Sequence, residues 1–338
     1  MIKLEDRIKA FATVGQILKN LSKEEREYMY QRAKNENSWF TDKNIGLALE
    51  GVQRYLDENK LKVWTKDLPS QPQKAKKVGM VMAGNIPLVG FHDFLTVLIS
   101  GHKLLAKLSS QDSFLLKHIA DILTDIEPWF KEQIQFQDRL NEADAMIATG
   151  SDNSSRYFEY YFAKMPHIIR HNRTSVAVLD GQETEEELQA LGDDIFQYFG
   201  LGCRNVAKLY VPEHYDFKLL LDAWQPYHLL IHHHKYNNNY DYNKSILLVN
   251  KEPHLDTGFA LLRESDQLVS PISMVYYEKY QNVADLKAQL EQRKNKIQCI
   301  VSRDSWVENS LPLGYAQQPE LWDYADGVDT LAFVSQLS

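Results

Sequence analysis

Between residues 78 and 179, continuous apolar runs of strand length alternate with segments of helical periodicity. The predicted strands are Val78–Gly84, Lys103–Leu108, Ala143–Ala148 and Ser175–Leu179, and the predicted helices between them are Phe91–Ile99, Ser113–Ile126 and Ser151–Ala163. Apolar strands that alternate with helices predict a parallel sheet covered by helices on both faces. Such sheets bind ligands at the carboxyl ends of their strands, so the residues that follow each strand are the first candidates for a site.

The regions on either side of these strands have different patterns. Residues 1–68 are predicted to be helical: Ser22 and Glu25 form a capping box, and Asp42 is predicted to cap a third helix that runs to about Asn59. After residue 182 the pattern is again α/β. The predicted elements there are the helix Glu185–Phe199, the strand Val206–Pro212, the helix Phe217–Trp224, the strand Ser245–Val249, the run Pro271–Tyr277, the helix Asn282–Arg293 and the strand Ile297–Ser302.

Composition and charge narrow the class of protein. A formal net charge of −8 gives no electrostatic footprint for nucleic acid. Two cysteines cannot build a disulfide framework, which favours a reducing compartment. The first residues lack the apolar core of a signal peptide, and no apolar run approaches the roughly 20 residues that cross a bilayer. We therefore expect a cytoplasmic protein without a membrane span or a nucleic-acid partner.

The two cysteines have different surroundings. Cys203 follows two glycines, Gly200 and Gly202, between a predicted helix and a predicted strand. Glycines allow tight or left-handed turns and leave room beside the sulfur, so a substrate can reach this thiol. Cys299 lies within a short β-type run and is most simply a small buried apolar residue. Cys203 is therefore the candidate nucleophile.

Three predicted strand ends carry residues that suit a cofactor or an oxyanion. The Asn85 amide is able to hold the oxygen of a tetrahedral adduct, or else it caps the following helix. Lys107 is placed to reach a ribose or phosphate, or else it is an ordinary surface lysine. Thr149-Gly150-Ser151 enters a helix whose free N–H groups suit a phosphate, although such a segment is most often only a helix start.

Taken in this order, the segments resemble those of the aldehyde dehydrogenase superfamily. The matching segments are Asn85-Ile86-Pro87, Lys107 to Ser110, Thr149-Gly150-Ser151 and Gly200 to Cys203. Further segments are similar to a branch of bacterial acyl-CoA reductases related to the luminescence fatty-acid reductase. They are Asn37 to Thr41, Tyr236 to Tyr242, and Gly314 to Gln317 leading to Asp323 to Gly327. The resemblance covers nearly the whole chain, and its specificity lies in the ordered set.

The resemblance implies an aldehyde-dehydrogenase-like α/β fold with a Rossmann-type cofactor domain, a catalytic domain and an N-terminal helical segment. It implies N-terminal helices over residues 1–68 that pack on the cofactor domain, a dinucleotide-binding domain over 74–182, a catalytic cysteine domain over 183–312, and a segment over 313–338 that returns towards the cofactor domain. It implies that Cys203 and Asn85 are catalytic. The implied cofactor-binding residues are Lys107, Ser110, Thr149, Gly150 and Ser151.

Two departures from the superfamily pattern sharpen the expected activity. Hydrolytic members carry Glu-Leu-Gly-Gly-Lys after the third helix, whereas Ile168 to Thr174 contains no carboxylate to activate water. The missing base favours reduction of an acyl-CoA to an aldehyde over oxidation of an aldehyde to an acid. Ser110 replaces a glutamate that binds the adenosine ribose in many NAD enzymes. This neutral residue favours NADPH, with NADH possible.

The resemblance thus implies an oxidoreductase that forms an acyl-Cys203 intermediate from an acyl-CoA or acyl-protein substrate. Two other interpretations stay open. One is an acyltransferase or thioesterase-like protein that uses Cys203 without a nicotinamide. The other is a catalytically silent scaffold that binds a partner such as an acyl-activating ligase. The chain is shorter than a typical aldehyde dehydrogenase, and its oligomeric state is left open.

Other clusters receive structural interpretations. Consecutive residues of a strand or helix point in different directions, so His232-His233-His234 is not expected to hold a metal. The aromatic run Tyr157 to Phe162 is predicted to fill a core rather than to line an acyl channel. The Tyr/Asn-rich run 236–242 is predicted to be a polar loop, either near the substrate entrance or only at the surface.

Overall fold

The computed structural model describes residues 2–150 and 152–337. The chain forms two compact units. The first contains the chain up to Asn172 together with the segment from Pro319 onwards, and the second is Arg173–Gln318. The α/β fold class predicted from the sequence is confirmed, since each unit contains a largely parallel sheet and helices.

The first unit begins with helices and continues as a parallel α/β unit. Its helices are α1 Leu4–Lys19, α2 Lys23–Glu36, α3 Asp42–Tyr55, α4 Glu58–Trp64, α5 Phe91–Ile99, α6 Phe114–Ile126, α7 Asp152–Phe162 and α12 Thr330–Ser335. Its strands are β1 Lys77–Val81, β2 Lys103–Lys107, β3 Ile134–Phe136, β4 Ala145–Thr149 and β5 His167–Arg170.

The N-terminal helices begin largely where the sequence predicts. The Ser22 side chain accepts the Glu25 N–H at 3.2 Å while the Glu25 carboxylate accepts the Ser22 N–H at 2.8 Å, so the predicted capping box is confirmed. Helix α3 is capped by Thr41, which accepts the Asn44 N–H, and not by Asp42. It ends at Tyr55 instead of continuing to about residue 59. A separate short helix, α4, then follows.

The first sheet has the order β3-β2-β1-β4-β5, and every neighbouring pair is parallel. The predicted parallel sheet is therefore confirmed. Strands β3 and β5 were not predicted, because three or four residues are too few to show a strand pattern. Apolar side chains surround helix α5, where Phe94 and Leu95 are fully buried, which is typical of a helix packed on all sides.

The second unit is built on a six-stranded sheet of order β11-β6-β7-β10-β9-β8. Its strands are β6 Thr174–Val178, β7 Val206–Pro212, β8 Leu255–Asp256, β9 Leu261–Glu264, β10 Met274–Tyr280 and β11 Ile297–Ser302. Its helices are α8 Glu185–Phe196, α9 Phe217–Ala223, α10 His234–Asn250 and α11 Val283–Arg293. Strand β6, predicted as the fourth strand of the first sheet, is hydrogen-bonded instead to β7 and β11.

Helix α10 corrects two predictions. The segment Ser245–Val249, predicted as a strand, is helical, and so is the Tyr/Asn run 236–242, predicted as a loop. Asparagine and tyrosine are weak helix formers, but the helix buries a stripe at helical spacing. The residues of this stripe are Tyr236, Tyr240, Asn243 and Leu247. Burial of that face against the sheet outweighs the weak propensity.

None of the helices in the described part of the chain is long and apolar enough to cross a membrane.

Candidate functional site

Cys203 lies in a turn between the short 3-10 segment Gln197–Gly200 and strand β7, and its side chain is exposed. The backbone before it is unusual. Tyr198, Phe199 and Gly200 have φ angles of 53°, 58° and 78°, three left-handed residues in a row. A non-glycine residue in this region costs about 1–2 kcal/mol, so surrounding contacts must hold the segment. Strained backbone of this kind is concentrated at functional sites.

Asn205 holds the turn together. Its Oδ1 accepts the Gly202 N–H at 2.8 Å, and its N–H donates back to the Gly202 carbonyl at 3.1 Å. Its Nδ2 contacts the carbonyl oxygens of Asp194, Ile195 and Gln197 at 3.1, 3.2 and 2.8 Å. Asn205 thereby satisfies carbonyls at the end of α8 while closing the loop around Cys203. Although the sequence displays it two residues after the cysteine, we assigned it no role.

A second set of contacts ties α8 and the cysteine turn to the segment 314–316. The buried carboxylate of Asp194 accepts the N–H groups of Gly314 and Ala316 at 2.6 and 2.8 Å. Burial raises the pKa of Asp194 to about 7. Arg204, the residue after Cys203, donates to the Ala316 carbonyl at 3.3 Å.

The second cysteine is close to the backbone of the first. Ser175 Oγ donates to the Cys203 carbonyl at 3.1 Å and lies 3.0 Å from Cys299 Sγ. With the serine proton committed to the carbonyl, the Cys299 thiol donates to Ser175. Burial raises the pKa of the Cys299 thiol. The neutral, hydrogen-bonded Cys299 supports the loop, and the exposed Cys203 is the better nucleophile.

In the first unit, Asn85 lies in the loop after β1 and is exposed. Helix α5 has Gly90 at its N-cap position without a side-chain hydrogen bond, so the alternative that Asn85 caps this helix is wrong. Two buried side chains hold the loop. Asn37 Nδ2 donates to the Gly84 carbonyl at 2.9 Å, and Asp112 Oδ2 accepts the Leu88 N–H at 2.7 Å.

Asn37 and Asp112 were missed as site residues. Asn37 belongs to a segment that carries the family resemblance, which was the only signal available. Nothing around Asp112 in the sequence marks it. Burial raises its pKa to about 7, and its Oδ1 is buried without a hydrogen-bond partner among the described residues.

Lys107 is the last residue of β2 and is exposed, as is Ser110 three residues later. The loops after β1 and β2 touch at Gly84. A Cβ at Gly84 would lie 2.5 Å from Ser109 Oγ and 2.7 Å from Ser109 Cβ. Glycine at this position therefore lets the Asn85 loop approach the loop that follows Lys107.

Thr149 is the last residue of β4, and Gly150 follows it; both are half-buried. Ser151 lies outside the described residues. Because β2, β1 and β4 are adjacent and parallel, their carboxyl ends meet at one edge of the sheet. The sheet brings Lys107, Ser110, Asn85 and Thr149 to that edge. The chain order reverses between β1 and β4, which is the switch point at which doubly wound sheets bind ligands.

The aromatic run on α7 and the three consecutive histidines are the two remaining clusters that the sequence displays. Tyr157, Tyr160 and Tyr161 on α7 are 67%, 80% and 69% exposed, so the prediction that this aromatic run fills a core is wrong for these residues. His233 is the N-cap of α10, accepting the Tyr236 N–H on its side chain, and its ring packs on Phe199. No group of three His, Cys, Asp or Glu side chains in the described ranges is arranged to hold a metal.

Part of the chain is similar to a known protein family. The family model described as Acyl-CoA reductase (LuxC) matches residues 61–219. No curated protein matches the chain in sequence.

Several solved structures share the fold. An aldehyde dehydrogenase from Bacillus cereus in complex with NAD+ is 13% identical with a TM-score of 0.65, over 91% of this chain and 72% of that one. Aldehyde dehydrogenase 21 from Physcomitrella patens, in complex with succinate, is 15% identical with a TM-score of 0.65, over 89% and 73%. A mutant of aldehyde dehydrogenase C from Pseudomonas syringae, in complex with NAD+ and octanal, is 11% identical with a TM-score of 0.65, over 89% and 72%.

Because these structures are only 11–15% identical to the chain, their similarity establishes the fold alone. The family model indicates the acyl-CoA reductase branch. Together they confirm the resemblance drawn from the ordered motifs. Residues 61–219 are thus similar to the acyl-CoA reductase (LuxC) family, and the chain shares the aldehyde dehydrogenase fold.

Proposed function

We propose that the protein reduces an acyl-CoA, or an acyl group carried by a protein, to an aldehyde through an acyl-Cys203 intermediate. The observation that carries the proposal is the exposed Cys203 thiol on a constrained turn, within a fold of this family. A nucleophile must be both reachable and held in place, and the Asn205 contacts meet the second requirement.

In the first step the Cys203 thiolate attacks the thioester carbonyl carbon, and the new carbon–sulfur bond replaces the bond to CoA, which leaves as its thiolate. Asn85 and the Cys203 N–H hold the oxygen that becomes negative during this attack. Reduction then converts the acyl-cysteine to an aldehyde, and the Cys203 thiolate is released again. The role of Asn85 is supported by its position on an exposed loop at the edge where strands β1, β2 and β4 end.

The residues at this sheet edge fit a nicotinamide dinucleotide. The switch point between β1 and β4 is the usual place for such a ligand, and the Gly84 contact keeps the adjoining loops close together. We propose that Lys107 binds the adenosine ribose and that Thr149, Gly150 and Ser151 bind the pyrophosphate. When bound, the reduced cofactor supplies the hydride for the second step. The neutral Ser110 favours NADPH because it does not repel a 2′-phosphate.

The segment that would hold a hydrolytic base supports reduction over hydrolysis. Arg170 is buried and paired with Asp93, with Nη2 and Oδ1 2.5 Å apart, so this part of the segment is structural. Two carboxylates from elsewhere contact His171: Glu159 at 3.6 Å from its ring and Asp326 at 3.2 Å from its N–H. The segment 168–174 itself supplies no carboxylate, and Asp326 Oδ2 accepts a backbone N–H.

The test is intact-protein mass spectrometry after incubation with a panel of acyl-CoAs and then with NADPH or NADH. An adduct on Cys203 that disappears with the reduced cofactor as aldehyde appears supports the proposal. An adduct that moves to an acceptor with no response to either cofactor identifies an acyltransferase. A Cys203 that reacts neither with acyl-CoA nor with iodoacetamide identifies a silent scaffold, for which binding to an acyl-activating ligase is the next measurement.

A further inference from the structure

The left-handed segment before Cys203 is held by an aromatic clamp from helix α10. The ring of Phe199 lies 4.4 Å from the ring of His233 and 5.8 Å from that of Tyr236, measured between centroids. Phe199 is only 5% exposed. His233 in turn accepts the Tyr236 N–H at 3.4 Å, so both rings belong to the first turn of the helix. The start of the helix thereby packs on one of the left-handed residues that precede Cys203.

Tyr236 combines this clamp with a buried hydroxyl. Tyr236 is 1% exposed, and its hydroxyl has no hydrogen-bond partner among the described residues. Burial raises the pKa of Tyr236 above its ordinary value, so the hydroxyl is neutral and able to donate. A buried hydroxyl without a partner costs about 1–3 kcal/mol, which makes an unused donor an unexpected feature at this position.

A small cavity lies beside Tyr236. Tyr236 lines a small cavity of ≈ 30 Å³ together with Phe199, Gly200 and Asn205 of the cysteine turn. A single water needs about 10–15 Å³ on the same measure, so the cavity accommodates one. Ser270 also lines it, and since Ser270 Oγ donates to the Met274 carbonyl at 2.6 Å, its lone pairs remain available as acceptors. The wall of the cavity therefore includes one residue whose hydroxyl has no partner among the described residues and one serine with acceptor lone pairs.

We propose that Tyr236 is a positioning residue for Cys203: its ring clamps Phe199 in the left-handed conformation, and its hydroxyl binds an ordered water beneath the cysteine turn. This inference rests on the proposed function only in taking Cys203 as the nucleophile. Tyr236 itself touches no reacting atom. It acts through Phe199 and Gly200 on the direction in which the turn presents the thiol.

The ring's part is tested with Tyr236→Leu and Phe199→Leu. The control is Tyr242→Leu, a tyrosine of the same helix that is 67% exposed. Alkylation of Cys203 by iodoacetamide is followed by peptide mass spectrometry across a pH series, which separates it from alkylation of Cys299. We expect both clamp variants to alkylate more slowly near neutral pH, with the midpoint of the profile moved to higher pH. Each unit of that movement lowers the rate about tenfold.

The control should alkylate as the unchanged protein does. Circular dichroism establishes that each variant is folded. A folded clamp variant whose alkylation profile coincides with that of the unchanged protein overturns the positioning role, because a purely structural residue would lower stability without moving the profile.

The hydroxyl's part is tested with Tyr236→Phe, which keeps the ring and also covers the case in which the leucine variants do not fold. If the hydroxyl binds a water, its removal breaks a hydrogen-bonded bridge and lowers the melting temperature. If the hydroxyl is unpartnered, its removal raises the melting temperature or leaves it unchanged, and the water site is refuted. Alkylation needs neither acyl-CoA nor cofactor. The inference therefore fails or succeeds independently of whether the protein is acylated and the adduct reduced.

Discussion

The turn that carries Cys203 and the loop that carries Asn85 are both irregular, but they are held in different ways. Asn205 secures the cysteine turn through hydrogen bonds to backbone groups no more than 11 residues away in the chain, among them those of Gly202 and Gln197. The Asn85 loop depends on side chains far away in the chain. Asn37 is 47 positions from its partner Gly84, and Asp112 is 24 positions from Leu88.

This difference indicates how each site would respond to change. A locally closed turn keeps its shape as long as its own segment is intact. A loop held from outside depends on the packing of α2 and of the loop before α6, so changes in those elements reach it. The strained backbone belongs mainly to the local turn, where Tyr198 and Phe199 are both left-handed. The long-range loop has one such residue, Leu88, at φ 58°.

The largest effect is expected for Cys203→Ala. Removal of the nucleophilic sulfur should abolish both acylation and aldehyde formation, measured by intact mass and by product analysis. The matched control is Cys299→Ala, which deletes the half-buried thiol that bonds Ser175. We expect this control to retain acylation, because Ser175 keeps its bond to the Cys203 carbonyl. Acylation that survives in Cys203→Ala would disprove the assignment of the nucleophile.

Asn205→Ala should strongly destabilise the locally closed turn. It removes the side-chain donor of the Ile195 and Gln197 carbonyls and the acceptor of the Gly202 N–H. We expect a loss of about 2–4 kcal/mol in the free energy of unfolding, measured in urea. Asn237→Ala, in which an exposed Asn237–Asp241 side-chain bond is lost, should cost much less. Equal losses in the two variants would contradict the role of Asn205 as the anchor.

Gly84→Ala tests the contact between the loops after β1 and β2. The added methyl would lie 2.5 Å from Ser109 Oγ and 3.2 Å from the Asp112 N, so backbone must move. A loss of about 1–3 kcal/mol is expected, together with weaker binding of the dinucleotide measured by calorimetry. The double variant Gly84→Ala with Ser109→Gly should recover part of the lost stability, because the second substitution removes the Ser109 atoms that clash with the added methyl. Gly51→Ala is the control for glycine replacement, because its backbone is not left-handed and the added carbon would lie 3.7 Å from the Arg54 side chain, an ordinary contact.

The smallest net effect is expected for Asp112→Asn, and its sign depends on pH. Burial raises the pKa of Asp112 from 3.8 to about 7. The folded protein therefore binds this proton more tightly than the unfolded chain does, so its contribution to stability is full at low pH and is lost as pH rises from 3.8 towards 7. The neutral amide removes that slope while keeping an acceptor for the Leu88 N–H.

Near pH 7 the free energy of unfolding of the variant should differ from that of the parent by less than about 1 kcal/mol. The variant no longer buries a charge, but its amide N–H₂ enters a site with no partner for it, and the two effects offset each other. Its stability relative to the parent should rise between pH 4 and pH 7, as followed by thermal unfolding. A difference that does not change with pH would show that Asp112 is ionised throughout. Asp194 contributes a slope in the same direction and is left untouched by the substitution.

Several features of this molecule were readable from the sequence for identifiable reasons. The apolar runs that became β1, β2 and β4 predicted a parallel sheet, since strands buried on both faces lack alternation. The glycines around Cys203 indicated an accessible thiol, which the exposed side chain bears out. The capping box at Ser22 marked a helix start because both of its hydrogen bonds are local.

Other features were not readable because they depend on distant partners. Strand β6 looks like any buried strand, and its place depends on distant pairing, since Ser175 pairs with Val206 of β7 and Thr174 pairs with Ile297 of β11. Helix α10 was mistaken for a loop and a strand because burial of Tyr236 and Tyr240 outweighed a poor local propensity. The aromatic residues of α7 have helical spacing, yet Tyr160 is 80% exposed, since periodicity does not reveal whether a covering element exists.

The amino-acid sequence by itself determined the α/β pattern, the polar residues at the strand ends and the identity of the candidate nucleophile, because these follow from short-range periodicity and residue chemistry. Only the tertiary structure decided which strands share a sheet, and that Asn37 and Asp112 hold the Asn85 loop while Tyr236 lies under the cysteine turn. Those contacts join residues tens of positions apart, and the free energy that forms them comes from packing, which no local segment of the chain encodes.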